Sequence, residues 1–373
     1  MIRTMNVMNA TLPQGKRPVA LVMQGGGALG AYEWGAVTRL CEEGFVPVAV
    51  AGVSIGGVNA AAIAGAPDGD IPASLERLWR RLMIPTPWFM PEIMAETISA
   101  LGNPAMYMPR ADYFALPSWT HLCETNPLRR TLLDLCNFQQ ISDPGHMRFA
   151  VTATAIRTGQ LHRFLNTETT ITPDHILASG ALPPGFPMAV VDGEAYWDGG
   201  LFDNTPVRPL FELLTDAEAD DLPIVLINLF PDNTIEPIPT NMLQLKNRMM
   251  ELTYENRFWD DYGSPEGLRE YATMIGELDK ALPPDSPIRN NRHFPELLRR
   301  RCLKNLHVIN SEHVPMTGGM DFSAKSVWAR YERGREAVDK HIKAGRFGPA
   351  GQVGEAHGAP PAERRAKRAS GTV

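Results

Sequence analysis

The sequence predicts an α/β fold built on a mainly parallel sheet, and three observations lead there. Residues 19–23 (Val-Ala-Leu-Val-Met) form a short apolar run, followed at once by a glycine-rich turn and a helical stretch. Residues 46–50 (Val-Pro-Val-Ala-Val) repeat that order with a second glycine-rich turn. Residues 222–230 (Leu-Pro-Ile-Val-Leu-Ile-Asn-Leu-Phe) add a later run of the same kind. Continuous apolar runs bounded by turn signals read as strands buried on both faces, and strands alternating with helices read as parallel.

The composition sets the bounds. With 373 residues, 44% hydrophobic and 21% charged, the chain has the make-up of a globular protein with one large domain and a smaller one. A net charge of -6 gives no reason to expect nucleic acid. Cys41, Cys123, Cys136 and Cys302 form no C-x-x-C pair, so they read as buried thiols in a reducing compartment. Neither a disulfide framework nor a zinc site is expected. Residues 1–16 have no apolar secretory h-region, and the expectation is a cytoplasmic protein.

Residues 1–17 are polar and irregular and read as a loose arm. After the first strand, the loop Gln24-Gly25-Gly26-Gly27-Ala28-Leu29-Gly30 opens a helix running to about Glu43, with Gly44 as its stop signal. Residues 44–67 carry no charge and are long enough to span a bilayer. The pattern argues otherwise, because it changes at Ser54 from β-branched residues to small helix formers, with Gly52, Gly56 and Gly57 at the change. That is a strand, a sharp turn and a helix, and the turn Gly52-Val53-Ser54-Ile55-Gly56 matches the G-x-S-x-G nucleophile elbow. There the serine hydroxyl is pushed outward on a strained backbone, while glycines two residues either side let strand and helix close up. The bland alternative is a serine that merely caps the helix.

The first glycine loop also has two readings. Gly25, Gly27 and Gly30 satisfy G-x-G-x-x-G, which in a dinucleotide site demands an acidic residue at the end of the next strand. There is no Asp or Glu from Gly44 to Pro67, so no nucleotide cofactor is expected. The other reading is an oxyanion hole, in which successive glycines let backbone N–H groups converge on one point. Two such loops closing consecutive parallel strands would lie side by side at the carboxyl edge of the sheet.

Further on, residues 72–82 make an amphipathic helix with Leu75, Leu78, Trp79 and Leu82 on one face. Residues 83–119 crowd Met and aromatic side chains between six prolines, which suits either a secondary core or an acyl-chain lid. A helix follows near 127–135, then a hairpin of 147–155 and 160–165 turning at Thr158-Gly159. Pro173 opens another helix, leading into the rigid segment 178–187. A hairpin from Ala189 to Trp197 turns at Asp192-Gly193 and runs into Asp198-Gly199-Gly200, which suits an ordinary turn or a close approach to another group. Residues 231–239 read as a linker, 240–282 as helical, 303–310 as a late strand and 323–343 as a long helix. Residues 344–373, rich in Gly, Ala and Pro and basic near the end, read as a disordered tail.

Taken together, Gly25-Gly26-Gly27-Ala28-Leu29-Gly30, the Gly52 to Gly56 elbow, the proline segment 178–187 and Asp198-Gly199-Gly200 occur in the order seen in patatin-like phospholipases. The chain resembles that family over about residues 17–230. The resemblance implies a three-layer α/β/α core, with Ser54 as nucleophile and Asp198 as proton acceptor in a dyad without histidine. It also implies Gly25, Gly26 and Gly27 as oxyanion donors, with Gly30, Gly52, Gly56, Gly199 and Gly200 as motif glycines. One position departs from the pattern: Leu29 stands where many members carry Lys or Arg. The residue-level alternative is a Ser-Asp-His triad drawing on His293, His307 or His313; that fold puts several strands before its elbow, and here one precedes residue 46.

The expected organisation is therefore an arm at 1–17, a catalytic domain at 18–230, a mostly helical extension at 231–343 and a tail at 344–373. The expected activity is acyl-ester hydrolysis on a lipid substrate, with no metal or other cofactor and with transient contact to a membrane or lipid inclusion. Hydrolysis of storage polyesters or thioesters, and a catalytically idle lipid-binding scaffold, are the rival readings. Oligomeric state is not legible in the sequence.

Overall fold

The computed structural model describes residues 15–87, 101–231, 238–242, 265–311 and 319–347, together with Met94, Ile98, Leu245, Arg248 and Met249. Several expectations fall wholly or partly outside these residues: most of the N-terminal arm and of the 231–239 linker, most of 240–264, His313, and the tail beyond 347. Helices of seven residues or more are numbered here.

The strands are β1 (Arg17–Met23), β2 (Phe45–Gly52), β3 (Met108–Pro109), β4 (Cys123–Glu124), β5 (Arg148–Ala155), β6 (Leu161–Leu165), β7 (Ala189–Val191), β8 (Glu194–Asp198), β9 (Ile224–Asn228) and β10 (Leu306–Asn310). The helices are α1 (Ala31–Glu42), α2 (Ile55–Ala64), α3 (Ile71–Leu82), α4 (Asn126–Leu135), α5 (Pro173–Ser179), α6 (Val207–Leu213), α7 (Pro265–Ala281) and α8 (Ala324–Lys343). Eight strands form one sheet in the order β10-β9-β1-β2-β5-β8-β7, with β6 also on β5. From β10 to β5 every pairing is parallel, while β6, β7 and β8 enter antiparallel. The outcome is the mixed, mostly parallel α/β sheet that the apolar runs predict.

The buried character of β1 and β2 follows from their position at the centre. Along β1, Val19, Leu21 and Met23 join one core with α1, α2, α3 and α8, while Ala20 and Val22 join the other with α6 and α7. Successive side chains of a strand face opposite ways, so a run apolar at every position is what a sheet covered on both sides requires. The result is three layers. Local signals hold at several ends: Asp70 accepts from Ala73 N–H at 3.1 Å and starts α3. Thr172 and His175 form a capping box at α5. Asp192 (φ 50°) and Gly193 (φ 83°) make the left-handed pair that a two-residue hairpin turn needs.

Two stretches differ from a simple reading. The described part of the Met and aromatic excursion divides: Met106 and Tyr107 are buried, as a secondary core requires, whereas Tyr113 and Phe114 are exposed. The region after residue 230 carries helices as expected, but its strand β10 pairs with β9 along residues 306–310 and extends the main sheet. Its last helix, α8, lies on α1 with backbones in contact. A Cβ at Gly35 would collide with the Tyr331 carbonyl oxygen, and one at Gly334 with that of Tyr32.

Candidate active site

The elbow is built by close approach. Strand β2 ends at Gly52, helix α2 begins at Ile55, and Ser54 between them has φ 54° and ψ −124°. Such a conformation costs a non-glycine residue about 1–3 kcal/mol, so the surroundings must hold it. A Cβ at Gly52 would collide with the Gly56 carbonyl oxygen, and one at Gly56 would stand 2.5 Å from that of Met23. The Ser54 N–H is tied down twice, donating to the Ser179 carbonyl at 3.1 Å and to Ser179 Oγ at 2.9 Å. The Ser54 side chain makes no capping bond to α2. The hydroxyl instead lies near the Asp198 carboxylate, close enough to pull the pKa of that group down.

Asp198 ends β8, opposite Ala153 of β5. Its N–H donates to the Ala181 carbonyl at 3.0 Å, and its own carbonyl accepts from Thr154 Oγ1 at 2.9 Å. The proline segment after α5 thus braces both residues, Ser179 on the serine and Ala181 on the aspartate. Asp198 Oδ1 also accepts from Gly200 N–H at 2.8 Å. Glycine is required at 199, where a Cβ would stand 2.5 Å from the Thr152 carbonyl oxygen. The carboxyl is buried at 2% exposure. Desolvation raises its pKa to about 6, against the opposing pull of the Ser54 and Gly200 hydrogen bonds.

The glycine loop lies beside the serine: a Cβ at Gly25 would be 3.0 Å from Ser54 Cβ. The loop separates the roles of its glycines. Gly25 N–H donates to Asn204 Oδ1 at 3.1 Å, while Asn204 Nδ2 returns a bond to Gly25 O at 3.2 Å. Gly25 N–H, expected with those of Gly26 and Gly27 as an oxyanion donor, is therefore engaged in holding the loop. In the short 3-10 turn of residues 27–30, the Leu29 N–H closes on Gly26 O at 3.1 Å. The N–H groups of Gly27 and Ala28, ahead of it, belong to the opening of the turn, where intrahelical partners do not exist.

A buried polar network behind this loop escaped the sequence reading. Gln24 N–H donates to Glu33 Oε1 at 2.7 Å, and Asn59 Nδ2 donates to Glu33 Oε2 at 2.8 Å. Asn59 in turn accepts from Trp79 Nε1 at 2.9 Å. The Gln24 side chain spans from Thr205 Oγ1 to Leu229 N–H, at 2.7 Å each. Glu33 is fully buried, and desolvation raises its pKa to about 8 in spite of the two donors. The available signal was a carboxylate in the apolar first turns of α1, Glu33, and an amide inside the apolar helix α2, Asn59.

Of the histidines proposed for a triad, the two among the described residues stand elsewhere. His307 packs among His341 and Phe347, and burial lowers its pKa to about 4. His293 precedes a short helix on the surface. Among the described residues, no group of three His, Cys, Asp or Glu side chains is arranged to hold a metal ion, and no helix is long and apolar enough to cross a membrane.

The structure thus brings together a serine on a strained elbow, a buried aspartate and a glycine turn. The profile of the patatin-like phospholipases matches residues 21–211, just over half of the chain, and the chain belongs to that family of lipid hydrolases. No curated protein sequence matches it. Among solved structures it is similar to VipD from Legionella pneumophila, at 15% identity over 88% of this chain and 67% of that one, with a TM-score of 0.36. It is also similar to full-length ExoU in complex with SpcU, from the type III secretion system of Pseudomonas aeruginosa. That match has 13% identity over 89% of this chain and 78% of that one, with a TM-score of 0.28.

Proposed function

We propose that this protein is a serine acyl hydrolase of lipid esters working through a Ser54–Asp198 dyad. The observation that carries the reading is the juxtaposition of the strained Ser54 elbow and the buried Asp198 carboxylate, both braced by residues 179–181. Asp198 takes the hydroxyl proton as Ser54 Oγ attacks the ester carbonyl. The carbonyl oxygen becomes an oxyanion, and the Gly27 and Ala28 N–H groups and the N-terminus of α2 stabilise it. Protonated Asp198 returns its proton to the leaving alcohol or lysolipid. A water molecule then gives a proton to Asp198 as it attacks the acyl-enzyme, and Asp198 returns that proton to Ser54 Oγ as the fatty acid leaves. A base with a pKa near 6 is poised for both transfers at neutral pH.

A lipid substrate is supported by exposed apolar side chains on segments tied to the site. Leu122 is 52% exposed, and its N–H donates to the Pro184 carbonyl in the bracing segment at 2.9 Å. Phe202, 58% exposed, follows the Asp198 turn directly. The test is hydrolysis of a chromogenic medium-chain ester by the wild type, Ser54→Ala, Asp198→Asn and His307→Ala, each confirmed folded. The first two variants are expected to lose about 10²–10⁴-fold or more in kcat, and the third to stay near wild type. Retained activity in Ser54→Ala would sink the mechanism. A panel of phospholipid, triglyceride, thioester and hydroxyacyl-oligomer substrates then assigns the acyl donor.

A further inference from the structure

We infer that Arg330, on the C-terminal helix α8, is a positioning residue that holds the glycine loop in its oxyanion-binding shape. The inference rests on the dyad mechanism proposed above and gives the C-terminal region a part in it.

Arg330 is 8% exposed, so its guanidinium is placed by the fold rather than by solvent. Its Nη1 donates to the carbonyl of Ala28, in the loop, at 3.3 Å, and to the carbonyl of Asp321 at 2.8 Å. Asp321 caps the start of α8, accepting from Ser323 N–H at 3.0 Å and from the Ser326 hydroxyl. One guanidinium thus joins the loop to the first turn of α8.

Peptide planarity carries this contact to the donors. The Ala28 carbonyl shares a plane with the Leu29 N–H, and that N–H bonds to the Gly26 carbonyl at 3.1 Å. The Gly26 carbonyl shares its plane with the Gly27 N–H. Fixing Ala28 O therefore fixes, through one intervening hydrogen bond, the direction of the Gly27 N–H.

The same region presses on the loop a second time. Gly27 has φ 58°, and a Cβ there would collide with the Gly319 carbonyl oxygen. The loop is held between Asn204 on the serine side, at Gly25, and residues 319–330 on the other. Helix α8 is itself locked to α1 by the Gly35 and Gly334 backbone contacts.

The experiment compares kcat and KM of Arg330→Met, Arg330→Lys and Ser54→Ala with wild type on the chromogenic ester, alongside backbone amide exchange at residues 26–30. Arg330→Met is expected to lose about 10- to 100-fold in kcat with KM within twofold, since the loop serves the transition state more than substrate binding. Arg330→Lys keeps the charge but not the fork, and should fall between Met and wild type. Amide exchange at 26–30 should quicken in the same order. A folded Arg330→Met with kcat within twofold of wild type overturns the inference. So does a loss in which kcat, KM and melting temperature fall together. If Arg330→Met does not fold, Arg330→Lys decides: lower kcat with faster exchange at 26–30 supports the inference, and wild-type values of both overturn it. Retained hydrolysis in Ser54→Ala would mark a failure of the dyad reading instead, and the exchange data would then decide the role of Arg330 by themselves.

Discussion

Two buried carboxyls of this protein, Asp198 and Glu33, obey the same electrostatic rule to different ends. Burial raises both pKa values, to about 6 and about 8. A carboxyl with a raised folded-state pKa keeps its proton where the unfolded chain has lost it, so stability declines with rising pH between the unfolded and the folded value. For Asp198 that window runs from about pH 4 to about pH 6, and a two-unit shift corresponds to about 3 kcal/mol. Asp198→Asn should therefore be more stable than wild type above pH 6, by urea unfolding, while being inactive. Activity has the opposite slope, because the base must be ionised: kcat/KM should rise with pH through about 6. A profile flat from pH 5 to 8 would remove Asp198 as the base. For Glu33 the window runs from about 4.5 to about 8, and Glu33→Gln should abolish that part of the pH dependence of stability. Gln supplies one oxygen where two donors converge, from Gln24 N–H and Asn59 Nδ2, so some stability should be lost at pH 5.

At the scale of elements, the glycines that looked like a motif are positions where a Cβ has no room. Gly56→Ala should cost about 1–3 kcal/mol or more in thermal or urea unfolding, because the added methyl meets the Met23 and Gln24 carbonyl oxygens at 2.5 and 2.6 Å. Full stability in that variant would mean that strand and helix can part without loss. This explains which features were legible in the sequence. Strands β1, β2 and β9, the elbow, the β7–β8 hairpin and the helix start at Pro173 are written in neighbouring residues, since apolar runs, φ requirements and helix-start signals are local. What the sequence hid depends on partners far along the chain. Asn204 meets Gly25 across 179 positions and Arg330 meets Ala28 across 302, and no spacing rule joins them. The engagement of Gly25 N–H was hidden for the same reason. Phe114 and Tyr107 read alike as excursion aromatics, yet one is 91% exposed and the other 1%.

For the molecule as a whole, the decisive relation is between the catalytic core and the region after residue 230. A linker and a helical extension suggest an appended unit, yet β10 closes the sheet on β9 and Tyr32 of α1 donates to the Asn310 carbonyl at 2.7 Å. Trp34 of α1 lies 5.0 Å from Trp328 and 4.1 Å from Tyr331 between ring centroids, within one aromatic cluster that also includes Trp79. Ion pairs Arg39–Asp339 and Arg335–Glu42 line the same helix pair, at 2.7 Å each. They are partly exposed and contribute little individually, so the burial of rings and the backbone contact at Gly35 and Gly334 carry the interface. Units sharing a sheet and a core should unfold together. Tryptophan fluorescence, to which Trp34, Trp79 and Trp328 of this cluster contribute, and far-UV circular dichroism should give coincident thermal transitions. Gly334→Val should lower both together, because its side chain must push α8 off the Tyr32 carbonyl. An early fluorescence transition that leaves the dichroism and the ester hydrolysis intact would make the C-terminal region an independent domain, and would separate α8 from the catalytic machinery.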